Sequence, residues 1–280
     1  MLSPKRTFSL QRVCKHFIAV SAAFLSLTSG QNLASDFNKE CVQDVNCHLP
    51  DCFCANNTQG PLTVAAQNRP QIVALSFSDA VNERNFGYYI EMLRSGWKNS
   101  NGCPVSLTLF VPDPWTNYTM VQKLWLEGAE IASFGKSGYS QSSYHYKTLS
   151  RELLEEEIGG QKDNFVIKAK IPPDAIKGFR MPYFESGSDE MLDVLKEEGY
   201  TYDSTLLVNR QTLQEAPSWP ATFTYEWPFA CKHGRCPTSN HSSLWEVCVC
   251  LNVGCLNGFH GFLLRPDGEG RTTSEIRHLR

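Results

Sequence analysis

The stretch QIVALSFSDA, residues 71–80, reads as a strand that carries an acid, Asp79, out to its end next to Ser78. A carboxylate in that position is a candidate metal ligand. A second candidate cluster lies upstream in CHLPDCFC, where His48 stands among Cys47, Cys52 and Cys54. Zinc and disulfide bonding compete for those sulfurs, and outside the cell oxidation is favoured. Several common catalytic signatures are missing: there is no Gly-rich phosphate loop, no GxSxG and no HExxH. The acidic run Glu155–Glu157 falls on a helical segment and reads as a solvated face.

The elements that must position Asp79 follow an alternating pattern. Strand-like runs occur at IVALSF, VSLTLFV, AEIASF, IKGFRM, YTYDS, TFTYEW and LWEVCV. Helical segments lie between several of them: 120–128 stopping at Gly128, 149–160 stopping at the pair Gly159–Gly160, and 188–199 with Ser188 as N-cap and Gly199 as stop. This rhythm argues for βα units around a parallel sheet or barrel, in which chemistry collects at the carboxyl ends of the strands. Asp79, Phe134, Arg180 and Asp203 all fall near such ends.

The ends of the chain read differently. Residues 1–30 combine Lys5, Arg6, Arg12 and Lys15 with an apolar run from Phe17 to about Leu27 and then small residues, the layout of a secretory signal peptide. That run is too short to span a bilayer, so no membrane span is expected after its removal. Of 11 cysteines, Cys14 leaves with the signal. Cys41, Cys47, Cys52, Cys54, Cys103, Cys231, Cys236, Cys248, Cys250 and Cys255 remain as an even, disulfide-forming set whose pairing the spacing leaves open. Sequons at Asn56, Asn117 and Asn240 suit the same secreted, extracellular destination. A Cys-rich lead-in (31–65) precedes the main domain (66–250), and the polar, aperiodic residues 251–280 are expected to be poorly ordered. A net charge of −3 offers no footprint for nucleic acid.

Seven motifs in one order, LPDCFC, PQIVALSFSDAVNERNFGYY, KNSNGCPVSLTLFV, TNYTMVQKLWLEGAEIASF, FRMPYF, YTYDST and LWEV, resemble the catalytic domain of animal chitin deacetylases in the polysaccharide deacetylase (NodB-like) family. The resemblance runs from about Cys41 to about Val247. It implies a distorted (β/α) barrel, incomplete if its last strands are absent, and a substrate such as chitin. It also implies a zinc ion held by one aspartate and two histidines, a second aspartate as base and a late histidine as acid.

This chain departs from that pattern at nearly every reacting position. Asp79 matches the ligand aspartate, but Ser78 stands where the base belongs, and a serine hydroxyl cannot take its place near neutral pH. Phe134 and Gly138 stand at the two histidine positions. His145, seven residues beyond Gly138, would be a substitute ligand or an exposed loop histidine. Arg180 and Tyr183 are kept, with Arg180 free to pair with Asp79 or to contact substrate. Asp203 matches a further motif, and Trp219 or Trp245 would be an aromatic wall or a core residue. The family's final Leu-x-His is not found, and neither His260 nor His278 has its context, so the tail reads as a truncated or aberrant end.

Three readings stay open. The first is an inactive deacetylase-like protein whose groove, lined by Asp79, Arg180, Tyr183, Asp203 and Trp245, contacts an N-acetylglucosamine polymer and needs no cofactor. The second is an active zinc hydrolase with substitute ligands such as His145 or His260. The third is a non-enzymatic extracellular matrix or interaction scaffold.

Overall fold

The computed structural model describes residues 37–58, 60, 73–208, 219–250 and 260–264. The signal segment with Cys14, Cys255, His278 and most of the tail lie outside the described residues, as do the side chains of Ser188, Cys250 and His260. Twelve strands are seen: β1 (Val73–Ser78), β2 (Thr108–Val111), β3 (Glu130–Ser133), β4 (Gly178–Phe179), β5 (Ser186–Gly187), β6 (Tyr202–Asp203), β7 (Leu207–Val208), β8 (Ala221–Phe223), β9 (Gly234–Arg235), β10 (His241–Glu246), β11 (Val249–Cys250) and β12 (His260–Leu264). Five α-helices accompany them: α1 (Phe86–Arg94), α2 (Tyr118–Leu126), α3 (Ser143–Lys147), α4 (Arg151–Ala169) and α5 (Ser188–Glu197).

Eight strands form one curled sheet in the order β12-β1-β2-β3-β4-β6-β10-β8. All pairings are parallel except β10–β8. No pairing of β12 with β8 occurs among the described residues, so the expected distorted (β/α) barrel is open. Parallel strands covered by helices must be apolar on both faces. Leu109, Val111, Ile131 and Phe179 from the strands are accordingly buried against Val121, Leu124, Ile158, Phe165 and Leu195 from the helices.

Two helix boundaries differ from the sequence expectation. The pair Gly159–Gly160 does not stop α4, which runs on to Ala169 and ends where Lys170 takes a left-handed backbone, φ 57°. At Gly159 an added Cβ would meet the Glu198 carboxylate at 2.8 Å, so this glycine lets the end of α5 approach α4. Gly187, not Ser188, occupies the position before α5. The acidic run on α4 is not wholly solvated either. Glu157 is buried, accepting from the Ser137 backbone N–H at 2.8 Å. The stretch expected to be poorly ordered supplies one strand: the apolar residues around Phe262 pair β12 with β1, Val73 opposite His260 through Phe77 opposite Leu264.

The lead-in is a stapled coil, held by Cys41–Cys54 and Cys47–Cys52. Both His48-flanking sulfurs are thus oxidised, which removes the zinc reading. The coil docks on the barrel by inserting Phe53 into the core and exchanging hydrogen bonds with Thr222 of β8. Cys231–Cys236 is a third bridge, and Cys103 is disulfide-bonded as well. Cys248 departs from the expected set: it is a thiol. Among the described residues, no helix is long and apolar enough to cross a membrane.

Candidate functional site

Register brings the singled-out residues level. Ser78 sits opposite Phe110, Val111 opposite Ser133, Ser133 opposite Phe179, Phe179 opposite Asp203, and Asp203 opposite Glu246. Asp79, Phe134 and Arg180 each follow the last residue of their strand, so they lie with the ends of β6 and β10 along one edge of the sheet.

Arg180 is the centre of its polar half and is only 2% exposed. Its Nη1 donates to Ser78 Oγ at 3.0 Å and Ser76 Oγ at 3.4 Å, its Nη2 to Ser204 Oγ at 2.8 Å, and its Nε to the Ser204 carbonyl at 3.0 Å. The guanidinium also lies 3.9 Å from the centroid of the Phe110 ring. These partners occupy the guanidinium that the sequence left free to pair with Asp79 or to contact substrate. Burial pulls its pKa down to about 10, against the raising effect of Tyr202, Asp203 and Glu246.

Beside it, Asp203 and Glu246 are both fully buried. Asp203 Oδ1 accepts from Thr205 Oγ1 at 2.6 Å, and Glu246 Oε1 accepts from the Leu206 backbone N–H at 3.1 Å. Their other oxygens, Asp203 Oδ2 and Glu246 Oε2, are buried without a hydrogen-bond partner, a setting that favours the protonated form. Burial, only partly offset by these hydrogen bonds, pushes Asp203 up to about 6. Glu246 is raised well above the carboxylate range by burial and by Asp203. The same burial and the two acids raise the Cys248 thiol. Glu246 was not singled out from the sequence; its signal was the acid in the last position of the LWE strand, aligned with YD.

The metal half is apolar. Phe134 is buried, with its ring edge-on to Tyr139 at 4.9 Å; Tyr139 in turn meets Tyr183 at 5.2 Å. Gly138 has φ 53°, and an added Cβ would overlap the Cβ of Pro112 and come within 2.9 Å of its Cγ. A histidine at this position therefore has no room. Asp79 Oδ1 is engaged with the Ala80 backbone N–H at 2.7 Å. His145 is not in an exposed loop but on α3, its Nε2 3.7 Å from Glu157 on α4. A zinc ion needs three or four protein donors; this site presents the donor Asp79 with a phenyl ring and a blocked glycine, so the residues do not fit the metal.

Tyr183, also in a left-handed conformation, donates its hydroxyl to the Gln141 carbonyl at 2.9 Å. Trp245 is half-buried against the core, and Trp219 packs over Gly60. Two aromatics missed in the sequence are better placed: Trp115, 70% exposed in the loop after β2, and Tyr144, 74% exposed on α3 after β3. Their signal was an aromatic in a loop leaving a strand's carboxyl end.

Of the sequons, Asn56 is exposed. Asn117 is the N-cap of α2, accepting from the Thr119 and Met120 N–H groups, and Asn240 Nδ2 donates to the Thr224 carbonyl at 2.8 Å.

Among curated proteins, the chain is 30% identical to Chitin deacetylase 1 of Bombyx mori over 205 residues, covering 72% of this chain and 37% of the relative. It is 33% identical to Chitin deacetylase 8 of the same organism over 226 residues, covering 79% of this chain and 58% of the relative. It thus spans less than two thirds of either relative. No family model matches. Solved structures with similarity include a family 4 carbohydrate esterase from Streptomyces lividans in complex with acetate (18% identity, TM-score 0.39, 50% of this chain and 64% of that one). A second is the chitin deacetylase from the fungal pathogen Colletotrichum lindemuthianum (11% identity, TM-score 0.40, 70% and 86%).

Proposed function

We propose, from the premise that this chain belongs to the chitin deacetylase-like branch of the polysaccharide deacetylase family, that it contacts chitin or a related N-acetylglucosamine polymer without hydrolysing it. The observation that carries the loss of chemistry is the closure of the metal half by Phe134, Tyr139 and the Gly138–Pro112 contact. Ser78 at the base position compounds it, because its hydroxyl is already an acceptor for Arg180 and cannot draw a proton from water near neutral pH. No zinc is used in this reading.

Contact with the polymer is supported by the names of the two relatives and by the exposed rings of Trp115 and Tyr144, whose faces suit the apolar faces of pyranose sugars. Disulfides support an extracellular site of action.

The test combines three measurements on the secreted chain: metal content, acetate release from chitin oligomers, and retention on chitin beads with and without chelator. The expected result is no stoichiometric zinc, no acetate, and retention that ignores chelator but weakens in Trp115→Ala and Tyr144→Ala. One zinc per chain with chelator-sensitive acetate release overturns the reading. Absence of retention leaves a scaffold role and removes the polymer from it.

A further inference from the structure

A cleft of about 460 Å³ lies between the stapled lead-in and the loop after β8, lined by residues other than those of the strand-end site. Its size falls in the range of small-molecule sites, roughly 300–1,000 Å³. The Cys41–Cys54 bridge and half-buried Tyr225 line it together with Lys39, Glu226 and Asn56, and the buried Trp227, packed on Phe223 and Phe229, forms its base. The walls are held firmly. The Glu226 N–H donates to the Phe37 carbonyl at 3.1 Å, and the Tyr225 hydroxyl to the Asn46 carbonyl at 2.6 Å. Aromatic rings beside charged and amide groups, on a pre-formed frame, are the chemistry that takes a sugar: a ring for the apolar face, polar heads for hydroxyls and the acetamide.

The source of that sugar is set by Asn56. It lies in the sequon Asn56-Asn57-Thr58 on an exposed turn in which the Asn57 N–H donates to the Cys54 carbonyl at 3.0 Å, and it belongs to the cleft lining itself. The other two sequons are committed elsewhere. On Asn240 the attachment atom Nδ2 is already engaged, donating to the Thr224 carbonyl at 2.8 Å, and on Asn117 the amide is already the N-cap of α2.

We propose that the chain carries an N-linked glycan on Asn56 and that the cleft seats its first N-acetylglucosamine, so that the sugar braces the lead-in against the barrel. In the covalent step Asn56 Nδ2 bonds to the anomeric carbon of the sugar and gives up a proton. The bond from that carbon to the pyrophosphate of a lipid-linked oligosaccharide donor breaks, and the lipid pyrophosphate leaves. The inference rests on the extracellular destination given above and not on the loss of catalysis.

The test expresses the full chain in a eukaryotic secretory host and maps glycopeptides by mass. The expected result is glycan at Asn56, unmodified Asn117 and Asn240, and an N56Q variant that lacks the added mass. The glycan is then trimmed to one sugar in one sample and removed entirely in another. The single-sugar form should keep the melting temperature of the intact glycoprotein. The stripped form and N56Q should melt lower by roughly 2–4 °C, the shift a contact worth about 1 kcal/mol gives a chain of this size. In Tyr225→Ala the difference between single-sugar and stripped forms should vanish, because the wall is gone. A secreted chain with bare Asn56, or one whose single-sugar and stripped forms melt together, overturns the seat while leaving the extracellular reading intact. A chain that never enters the secretory pathway overturns both.

Discussion

The two halves of the strand-end site are built in opposite ways. Around Arg180 the polar character is kept: with Ser78 at the base position, the guanidinium is met by three serine hydroxyls, a carbonyl and the Phe110 ring. Around Phe134 the polar character is gone, and rings and a proline occupy the space. The difference follows from desolvation. A buried cation that loses a partner must be given others, because leaving it bare costs several kcal/mol. A region lined by apolar groups carries no such debt. One half is constrained by what remains in it, the other only by volume.

The strongest way to break this comparison is Arg180→Met. It leaves the Asp203–Glu246 pair without its neighbouring cation and three serines without their donor, and the expected loss is about 3–5 kcal/mol by urea denaturation. A loss below about 1 kcal/mol would mean that the polar half is not held by Arg180.

The acid pair sharpens the same point through pH. Unfolded, Asp203 releases its proton near the ordinary value of about 3.9; folded, it does so at about 6. Between those values the folded chain holds a proton that the unfolded chain has shed. Stability therefore falls as pH rises from about 4 to 6, by roughly 2–3 kcal/mol from this group. Asp203→Asn should flatten that part of the stability profile relative to wild type, measured as urea midpoints across the window. Parallel profiles would show that folding does not raise the Asp203 carboxyl.

On the other half, Gly138→His should destabilise by roughly 1–3 kcal/mol through overlap with Pro112, with partial recovery when Pro112→Ala is added. A thermal melt unchanged by Gly138→His would show that the space is open after all. The smallest effect is expected for Ser78→Asp, which returns a carboxylate to the reach of Arg180 Nη1. Its unfolding free energy by urea denaturation should stay within about 1 kcal/mol of wild type, since the new charge gains a partner as it loses water.

The strand ends were legible because period and position coincide: each of Asp79, Phe134, Arg180 and Asp203 follows or ends an apolar run. The donor-poor character of positions 134 and 138 was legible too, since phenylalanine and glycine carry no side-chain donor. What was hidden depends on three-dimensional neighbours. Glu157 looked solvated in an acidic run, yet it turns inward to the Ser137 N–H and faces His145. Gly159 looked like a helix stop, whereas its role is set by Glu198, 39 residues away in sequence. Cys248 looked like half of a bridge in a Cys-rich run, but its surroundings are two buried acids. Pairwise register, which alone aligns Glu246 with Asp203, has no signature in either strand taken singly.

The pairing of β12 with β1 also sets a timetable for synthesis. Ser78 leaves the ribosome roughly 180 residues before His260, which at 5–20 residues per second is on the order of 10–40 s. Throughout that interval β1 has an open edge that offers its backbone groups to any extended segment nearby. A nascent chain of this kind depends on escorts in the compartment where it emerges, and its yield should respond to the speed of translation as much as to the stability of the finished barrel.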